Sequence, residues 1–586
     1  MPDFMGSVQS IKVELDVPVR MRDGTVLRAD IYRPDASGKF PVLLKRTPYD
    51  KSVAVRRTAY LDPIRAASHG YAVVIQDVRG RYASDGDFSP FFQEIDDGYD
   101  TVEWCAGQPY SSGRVGMFGR SYHGATQWLA ACKTPPALQA IYPGITASDY
   151  HEGWTYQGGA ACWGFLVSWT TNALALDNFV KLSRDRGFSS DVRQRLARSL
   201  EDLEQGFRFL PLRDYPHLTD GLAPYFYDWL AHPSADDYWR PVKIENHHER
   251  IRVAAFNAGG WFDIFLKGTI RNFAGMRARG PREVRDRQRL LIGPWHHTAP
   301  FPTVSGSTYF GKGAGEIAVD LPGTLLRWYD HWLKDEDNGI VTEPPVQLFI
   351  MGKNFWRHES DWPLPQTQVT RYYFHSQGRA NTLGGDGQLD RDAPDSEPPD
   401  VYAYDPRDPV PSCGGGLCCY DYFVVGGCYD QRAIEVRSDV LCYTSAPLER
   451  DLEVSGPVAV TLFAASSAPD TDFTAKLVDV CPCGCARNLA DGIVRGRYRE
   501  SLSTPSLLEP GAVYRYEVDL VATANVFQRG HRIRVEISSS NFPRFDRNPN
   551  TGREIAAETE LRPALQTILH DAAHPSHISL PIIPAG

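Results

Sequence analysis

One serine, placed between two glycines where a strand pattern meets a helix pattern, restricts the possible folds of this chain more than any other feature. The apolar residues Val115, Met117 and Phe118 lead into Gly119-Arg-Ser-Tyr-His-Gly124, and a helix pattern follows from Ala125 to Ala131. A strand, a tight turn and a helix in this order resemble a nucleophile elbow, which holds a serine in a strained conformation above the sheet edge. There its hydroxyl can meet a carbonyl, with the helix N-terminus beneath the developing oxyanion.

The elbow makes Ser121 a candidate nucleophile, although the motif by itself admits a second interpretation. Its spacing is Gly-x-Ser-x-x-Gly rather than Gly-x-Ser-x-Gly, so a purely structural turn between a strand and a helix would also fit. A nucleophilic serine needs a base, and the base needs an acid to orient it. In α/β-hydrolases the acid and then the histidine follow the serine along the chain, each just after a sheet strand.

Two later segments place an acid and a histidine in that order. Residues 252–263 indicate a strand, a Gly-Gly turn and Asp263, and residues 290–297 indicate a strand, a Gly-Pro turn and the pair His296-His297. Taken singly, Asp263 could cap the helix that follows it, and a histidine after a strand is usually structural. Finding both in the required order is much less frequent by chance. The base stays open between two histidines, because adjacent residues at a strand end point in different directions.

The hydrophobic patterning predicts more than one domain. Alternating strand and helix patterns over residues 1–147 and 244–352 predict two parts of one α/β domain, and the segment 148–243 between them predicts a helical insertion. Residues 353–586 show alternating strands without a long helix, which predicts a separate all-β domain, a sandwich or jelly roll.

Charge and composition exclude several classes of partner. The chain of 586 residues has a net charge of −10 and no long basic run, so nucleic-acid binding is not expected. No apolar stretch approaches the length of a transmembrane helix, and the first ten residues lack the basic and apolar segments of a signal peptide. We therefore expect a cytoplasmic protein without membrane contact, unless the chain is already processed.

The cysteines raise the question of a metal site. Eight of the eleven lie beyond residue 410, and three of these form the run Cys481-Pro-Cys483-Gly-Cys485. Its spacing differs from the Cys-x-x-Cys of common zinc sites, and it lies between strand patterns, so a hairpin turn at Pro482 and Gly484 is favoured over a metal. In a cytoplasmic setting we expect free thiols.

Further motifs along the chain resemble those of a known family. Together with the elbow they are Arg46–Lys51, Asp77–Arg81, Ser84–Gly86, Gly260–Asp263, Gly293–His297 and Arg532–Asn541. They resemble the cocaine esterase-like hydrolases, or CocE/NonD family, which are related to X-Pro dipeptidyl-peptidases, α-amino acid ester hydrolases and glutaryl-cephalosporin acylases. The resemblance runs over essentially the whole chain. It implies an α/β fold class: an α/β-hydrolase domain with a helical cap insertion and a C-terminal all-β, jelly-roll-like domain.

The resemblance also implies roles for the candidate catalytic residues. Ser121 matches the family's nucleophile and Asp263 matches its orienting acid. In the family's Gly-Pro-Trp-x-His motif the last residue is the base, which is His297 here. His296 falls at the variable position and remains the rival base.

An oxyanion hole and an acyl pocket are implied in the same way. Tyr49 matches the family's oxyanion-hole tyrosine, working with the backbone N–H of Tyr122; a phenol can donate a short hydrogen bond to an oxyanion. Without the resemblance, Tyr49 would be interpreted as a half-buried aromatic at the rim. Aromatic residues in a cap are more often core than ligand contacts, but the candidates for the acyl pocket are Trp154, Trp163, Trp169 and Phe265. Three charged residues beside the site are expected to pair with each other and brace their loop: Arg79, Arg81 and Asp85.

These features predict a serine hydrolase that cleaves a carboxylic ester, or a related acyl bond of a small molecule, through an acyl-enzyme. No metal or organic cofactor is required, and a homodimer is compatible with the sequence. One alternative is an amide-cleaving enzyme, an X-Pro dipeptidyl-peptidase or a β-lactam side-chain acylase. A carboxylate cluster that would bind a substrate ammonium is not identifiable. The other alternative is a non-catalytic binding protein, which the intact Ser121, Asp263 and His297 disfavour.

Overall fold

Two large β-sheets organise the structure of this chain, a computed structural model that describes residues 10–53, 60–298, 300–419 and 425–584. Within these ranges the first sheet has ten strands and the second has eleven. In chain order, the strands of the first sheet are β1 Ile11–Arg20, β2 Val26–Pro34, β3 Phe40–Thr47, β4 Ala72–Asp77, β5 Ser111–Arg120, β6 Leu138–Gly144, β7 Ala254–Phe262, β8 Gln288–His296, β9 Val346–Ile350 and β10 Phe355–Glu359.

The middle of the first sheet is parallel, which gathers the carboxyl ends of its strands at one edge. The strand order is β1-β2-β4-β3-β5-β6-β7-β8-β9-β10. Neighbours from β4 to β9 are parallel, and the pairs outside that block are antiparallel. Strands in such a block are covered on both faces, and all six residues of β4 are buried. The segments after β3, β5, β7 and β8 therefore meet, and they carry Tyr49, Ser121, Asp263 and His297.

Helices cover both faces of this sheet. Along β3, Val42 and Leu44 belong to a core that includes Trp128, whereas Leu43 belongs to a second core that includes Tyr329. Alternate residues of a strand point to opposite faces, so one strand serves both cores. The α-helices of this part of the chain are Pro63–Ser68, Glu94–Ala106, Tyr122–Ala131, Leu266–Arg279, Arg282–Arg285 and Leu321–Lys334.

The segment between β6 and β7 is mainly helical and forms the cap. Two of its helices, Ser190–Glu201 and Leu203–Arg208, meet at Asp202, whose backbone has the non-helical angles φ −124° and ψ 44°. None of the helices in the described part of the chain has the length and apolar character that crossing a membrane requires. The helices of the cap are Trp163–Trp169, the π-helix Thr170–Leu176, Phe179–Arg186, Ser190–Glu201, Leu203–Arg208 and Pro224–Ala231.

The second sheet forms the C-terminal β-rich domain. Its strands are β11 Gln368–His375, β12 Gln388–Asp390, β13 Asp400–Tyr404, β14 Leu441–Thr444, β15 Leu452–Ser466, β16 Asp472–Val480, β17 Ala486–Arg495, β18 Val513–Phe527, β19 Arg532–Ser538, β20 Ala564–Leu569 and β21 His577–Ile583. The order is β13-β20-β15-β21-β11-β12-β14-β19-β16-β17, and β18 pairs with β15. Leu290 and Val346 of the first sheet lie in the same apolar core as Val460 and Ile578 of the second. The two domains therefore share a core.

The β-rich domain also holds the cap by hydrogen bonds. The backbone of Asp546 donates to the Ala161 carbonyl at 3.0 Å, and the Asp546 carboxylate accepts the Ala161 N–H at 2.7 Å. The same carboxylate is paired with the buried guanidinium of Arg495 at 2.9 Å. A second link joins the Gly164 N–H to the Pro543 carbonyl at 2.8 Å. These contacts fix the cap against the β-rich domain.

Four cysteines are not free thiols, which corrects the sequence-based expectation. Cys418 is bonded to Cys419, and Cys481 is bonded to Cys483. The predicted hairpin turn is present: the Cys481 N–H donates to the Cys485 carbonyl at 3.0 Å between β16 and β17. This turn brings the Cα atoms of Cys481 and Cys483 to 5.3 Å, within the usual range for a disulfide. Among the described residues, no group of three or more histidine, cysteine or acidic side chains is arranged to hold a metal ion.

Candidate active site

Ser121 lies at the tip of the predicted elbow, between β5 and the helix Tyr122–Ala131. Its backbone has φ 60° and ψ −125°, a region that L-residues rarely occupy and that stores strain at functional sites. The flanking glycines explain how the turn closes. A Cβ on Gly119 would lie 2.4 Å from the Cβ of His123, and one on Gly124 would lie 2.9 Å from the Gly144 carbonyl oxygen. The turn therefore requires glycine at both positions.

Asp263, His297 and Ser121 form a continuous hydrogen-bonded row. The Nδ1 atom of His297 lies 2.8 Å from Asp263 Oδ2, and its Nε2 atom lies 3.0 Å from Ser121 Oγ. Asp263 is buried, and its Oδ1 atom accepts the backbone N–H of Phe265 at 2.7 Å. A carboxylate only accepts, so the proton of His297 lies on Nδ1 and Nε2 is left to accept the hydroxyl proton of Ser121.

His296 points away from this row. Its Nδ1 atom lies 3.1 Å from the hydroxyl oxygen of Ser305, and its Cβ lies beside Gly426 of the β-rich domain. Neighbouring residues at a strand end face opposite sides. The structure thus brings His297, and not His296, to Ser121.

The strands that carry the acid and the base run further than the sequence predicted. The Gly-Gly and Gly-Pro turns are absent, because β7 continues through Phe262 and β8 through His296. Gly260 instead allows the close approach of the two strands, and Gly293 leaves room for the Trp295 ring of its own strand. A Cβ on Gly260 would lie 2.2 Å from the Trp295 carbonyl oxygen, and one on Gly293 would lie 2.3 Å from the Trp295 ring.

Tyr49 follows β3, the neighbour of the strand that leads to Ser121, and Tyr122 follows Ser121 directly. The hydroxyl oxygen of half-buried Tyr49 accepts the indole N–H of Trp169 at 2.9 Å. Tyr122 is the first residue of the elbow helix, so its N–H is one of the four that have no acceptor within the helix. The rings of Tyr49 and Tyr122 meet edge to face with 6.5 Å between centroids.

A buried network under the elbow fixes Tyr122. Its hydroxyl donates to Glu94 Oε1 at 3.0 Å and accepts the Phe91 N–H at 3.1 Å, while Glu94 is paired with Arg46. Burial, together with the neighbouring Glu94 carboxyl, raises the pKa of Tyr122 well above its ordinary value. The phenol therefore stays neutral and keeps its proton for Glu94.

Three of the four predicted pocket aromatics gather beside His297. The Phe265 ring meets the His297 ring edge to face at 5.1 Å, Trp154 stacks on Phe265 at 4.1 Å, and Trp169 lies 5.4 Å from Trp154. Sequence reasoning missed Phe165, whose ring lies 5.3 Å from Trp169 and 5.5 Å from Phe265.

Trp163 lies apart from this cluster, inside the cap. Its ring packs near Tyr215 and Phe226, and its indole donates to the Phe207 carbonyl at 2.8 Å. Helical spacing could have distinguished these residues. Residues 165 and 169 are four apart and share a face, whereas residues 163 and 169 are six apart and do not.

The charged residues beside the site brace it, but they do not pair with each other as predicted. Arg79 pairs with Asp97 at 2.6 Å and with Asp23 at 2.7 Å. Arg81 is buried and donates to the backbone carbonyls of three residues, Pro48, Ala173 and Leu174. Asp85 is held through its backbone, whose N–H donates to the Val26 carbonyl and whose carbonyl accepts the Gly80 N–H.

Comparison with known proteins identifies relatives along most of this chain. The family of the X-Pro dipeptidyl-peptidase (S15 family) matches residues 23–299, and the X-Pro dipeptidyl-peptidase C-terminal non-catalytic domain matches residues 338–579. The cocaine esterase of Rhodococcus sp. (strain MB1 Bresler) is 41% identical over 581 residues, which cover 97% of this chain and 98% of that protein.

Two solved structures are similar over nearly the full length. An aminopeptidase from the marine sediment archaeon Thaumarchaeota archaeon has a TM-score of 0.80 and 26% identity, covering 99% of this chain and 97% of that chain. An α-amino acid ester hydrolase has a TM-score of 0.77 and 26% identity, covering 99% of both chains.

Proposed function

This chain belongs to the cocaine esterase-like (CocE/NonD) family of serine hydrolases, and we propose that Ser121, His297 and Asp263 form its catalytic triad. The protein is a serine hydrolase that cleaves a carboxylic ester through an acyl-enzyme. The observation that carries the assignment of residues is the unbroken row from Asp263 through His297 to Ser121, at 2.8 and 3.0 Å.

The geometry supports a two-step acyl transfer. His297 Nε2 takes the proton of Ser121 as Oγ attacks the ester carbonyl, and Asp263 stabilises the imidazolium that forms. His297 then gives the proton to the departing alcohol. A water molecule, deprotonated by the same nitrogen, attacks the acyl-enzyme and releases the acid. The Phe265 N–H holds the Asp263 carboxylate in line throughout.

We assign the oxyanion hole to the hydroxyl of Tyr49 and the backbone N–H of Tyr122. Both lie next to Ser121 in the fold, one after β3 and the other at the start of the elbow helix. Donors fixed in advance stabilise the tetrahedral oxyanion without having to reorganise during the reaction.

The acyl side of the substrate is proposed to be flat and apolar. Phe265, Trp154, Trp169 and Phe165 form an aromatic wall that reaches the His297 ring. An aromatic acyl group would stack on such a wall. This proposal is consistent with the 41% identity to a cocaine esterase.

Cytoplasmic location and a homodimer remain predictions from the sequence.

Initial rates on matched chromogenic substrates test the proposed chemistry. We expect kcat/KM to be higher for p-nitrophenyl benzoate than for p-nitrophenyl butyrate, and higher for both than for an X-Pro p-nitroanilide. Ser121→Ala, measured in parallel, separates enzymatic turnover from spontaneous hydrolysis of the esters. Faster turnover of the anilide would favour the dipeptidyl-peptidase alternative instead.

A further inference from the structure

We propose that Trp169, a residue of the cap, is a positioning residue for the oxyanion hole, because it orients the hydroxyl of Tyr49. The inference rests on the proposed role of Tyr49 and extends it: the cap takes part in catalysis by placing a hydrogen-bond donor, in addition to enclosing the substrate.

The direction of the hydrogen bond carries the argument. An indole N–H only donates, so the Tyr49 oxygen must be the acceptor in the 2.9 Å contact. A phenol oxygen that accepts on one side keeps its own hydrogen off that side. The contact therefore restricts the rotation of the Tyr49 O–H bond and leaves it in a fixed direction before a substrate binds. A donor that is fixed in advance does not have to reorient as the transition state forms, which lowers the activation free energy.

Trp169 is itself held rigidly. Its side chain is 3% exposed. Its ring stacks on Phe165 at 5.3 Å and on Trp229 at 6.2 Å, and it meets Trp154 edge to face at 5.4 Å. An indole packed on several sides cannot swing away from Tyr49 without disturbing the cap.

A second link joins the same part of the cap to the loop that carries Tyr49. The guanidinium of Arg81 donates to the carbonyl of Pro48, the residue before Tyr49, at 2.7 Å. It also donates to the carbonyls of Ala173, at 2.9 Å, and Leu174. These two residues belong to the π-helix Thr170–Leu176, which begins directly after Trp169. Rare π-helical turns are frequent at functional sites. Tyr49 is thus tied to the cap through its hydroxyl and through its backbone.

Trp169 also belongs to the proposed wall of the acyl pocket, and that contribution has a different kinetic signature. A wall residue contacts the substrate whether or not Tyr49 has a hydroxyl, and it acts on substrate binding. A positioning residue acts only through that hydroxyl, and its effect falls on kcat because the oxyanion exists only in the transition state.

A double-mutant cycle separates the two roles. We expect Tyr49→Phe to lower kcat by about 10²–10³-fold, the usual cost of one oxyanion donor. Trp169→Phe removes the indole donor and should lower kcat by about three- to tenfold, the usual worth of one neutral hydrogen bond. The kcat of the double variant should then equal that of Tyr49→Phe alone. An equal loss from Trp169→Phe in both backgrounds would overturn the inference.

Trp154→Phe is the matched control. It removes the same ring volume from the same cluster, but the Trp154 indole nitrogen is buried without a hydrogen-bond partner among the described residues. The change in kcat that Trp154→Phe causes should be the same in the wild-type background and in the Tyr49→Phe background. Should Trp169→Phe fail to fold, as judged by thermal unfolding, Trp169→Met fills the gap without a donor and completes the same cycle. If Tyr49→Phe leaves kcat unchanged, the oxyanion role itself is wrong; if only the coupling is missing, the role stands and the positioning by Trp169 is wrong.

Discussion

Serine, histidine and aspartate meet at two places that the structure describes, one at the carboxyl edge of the first sheet and one inside the β-rich domain. In the first cluster the ring of His297 stands between Ser121 and Asp263. In the second, the Ser376 hydroxyl donates to Asp400 Oδ2 at 2.7 Å, and His570 Nε2 lies 3.0 Å from the same oxygen. The serine proton of the second cluster therefore goes directly to the carboxylate, without a histidine between them.

The other ring nitrogen of His570 also contacts a carboxylate. His570 Nδ1 lies 3.2 Å from Glu397 Oε2, so both ring nitrogens face carboxylates and the imidazolium satisfies both. Burial opposes this charge, but the hydrogen bond and charge of Asp400, with those of Glu397, outweigh it and raise the pKa of His570 above its ordinary 6.5. An imidazolium has no lone pair with which to take a proton from serine.

Access separates the two clusters as well. Ser121 is partly exposed at the tip of its turn, whereas the side chains of His570 and Asp400 are fully buried. The second cluster joins the ends of several strands, since Ser376 follows β11, Asp400 begins β13 and His570 follows β20. We propose that the same residue types form a catalytic site in one domain and a buried structural cluster in the other, depending on which side chains bond to each other and on their exposure.

The largest effect that sharpens this comparison is expected at His297. His297→Ala removes the base, so kcat should fall by about 10⁴-fold or more, as much as in Ser121→Ala, because the triad acts as a unit. His296→Ala serves as the neighbouring control and should cost far less, since its ring faces Ser305. Single-turnover kinetics on a p-nitrophenyl ester would check the ranking. The reverse order would move the active site by one residue.

A smaller effect, on stability rather than activity, is expected in the β-rich domain. His570→Gln removes the cation that lies between Asp400 and Glu397, and breaking a buried pair in this way typically costs about 3–5 kcal/mol. Ser376→Ala removes the hydroxyl that donates to Asp400 and accepts the Gly378 N–H, and should cost about 1–3 kcal/mol. Urea unfolding would measure both. In folded protein kcat should stay at the wild-type value, and a loss of kcat comparable to that of Ser121→Ala would break the distinction between the clusters.

The smallest expected effect is the pH dependence of the stability that the cluster of Ser376, Asp400 and His570 contributes. Because the folded-state pKa of His570 is raised, its contribution to the free energy of unfolding is complete below about pH 6.5. This contribution is lost as the pH rises through the folded-state pKa. Burial raises the pKa of Asp400, but hydrogen bonds from His570, the Ala380 N–H, Ser376 and Tyr443 outweigh it and lower the pKa. The contribution of Asp400 to the free energy of unfolding is therefore lost only as the solution becomes strongly acidic.

Unfolding free energies at two pH values check this expectation. The difference between wild type and His570→Gln should be larger at about pH 5.5 than at about pH 8.5. A difference that grew with pH would mean that His570 is buried as the neutral ring.

The sequence allowed prediction of features that depend on local pattern. The predicted helix pattern from Ala125 to Ala131 lies within the helix Tyr122–Ala131 and ends at the same residue, because it is a regular run after a clear turn signal. The serine, acid and histidine segments could be placed because each follows an apolar strand. Gly260 was predicted to form a turn, but it accommodates a neighbouring strand. A glycine looks the same in the sequence in either role.

Features that depend on long-range contact could not be predicted. The second cluster joins Ser376 to His570, 194 residues later, with no motif at either position. The link from Trp169 to Tyr49 spans 120 residues and follows from how the cap is seated. The pairing of the strands Gln368–His375 and His577–Ile583 across the β-rich domain could not be predicted for the same reason.

Labelling with a fluorophosphonate probe, followed by peptide mass mapping, tests the central claim most directly. The reagent needs a serine that is both exposed and activated by a free imidazole nitrogen. We predict that the modified peptide carries Ser121, that Ser376→Ala is labelled at the wild-type rate, and that Ser121→Ala is not labelled. Label on any other serine, or labelling that persists in Ser121→Ala, would contradict the assignment of the active site.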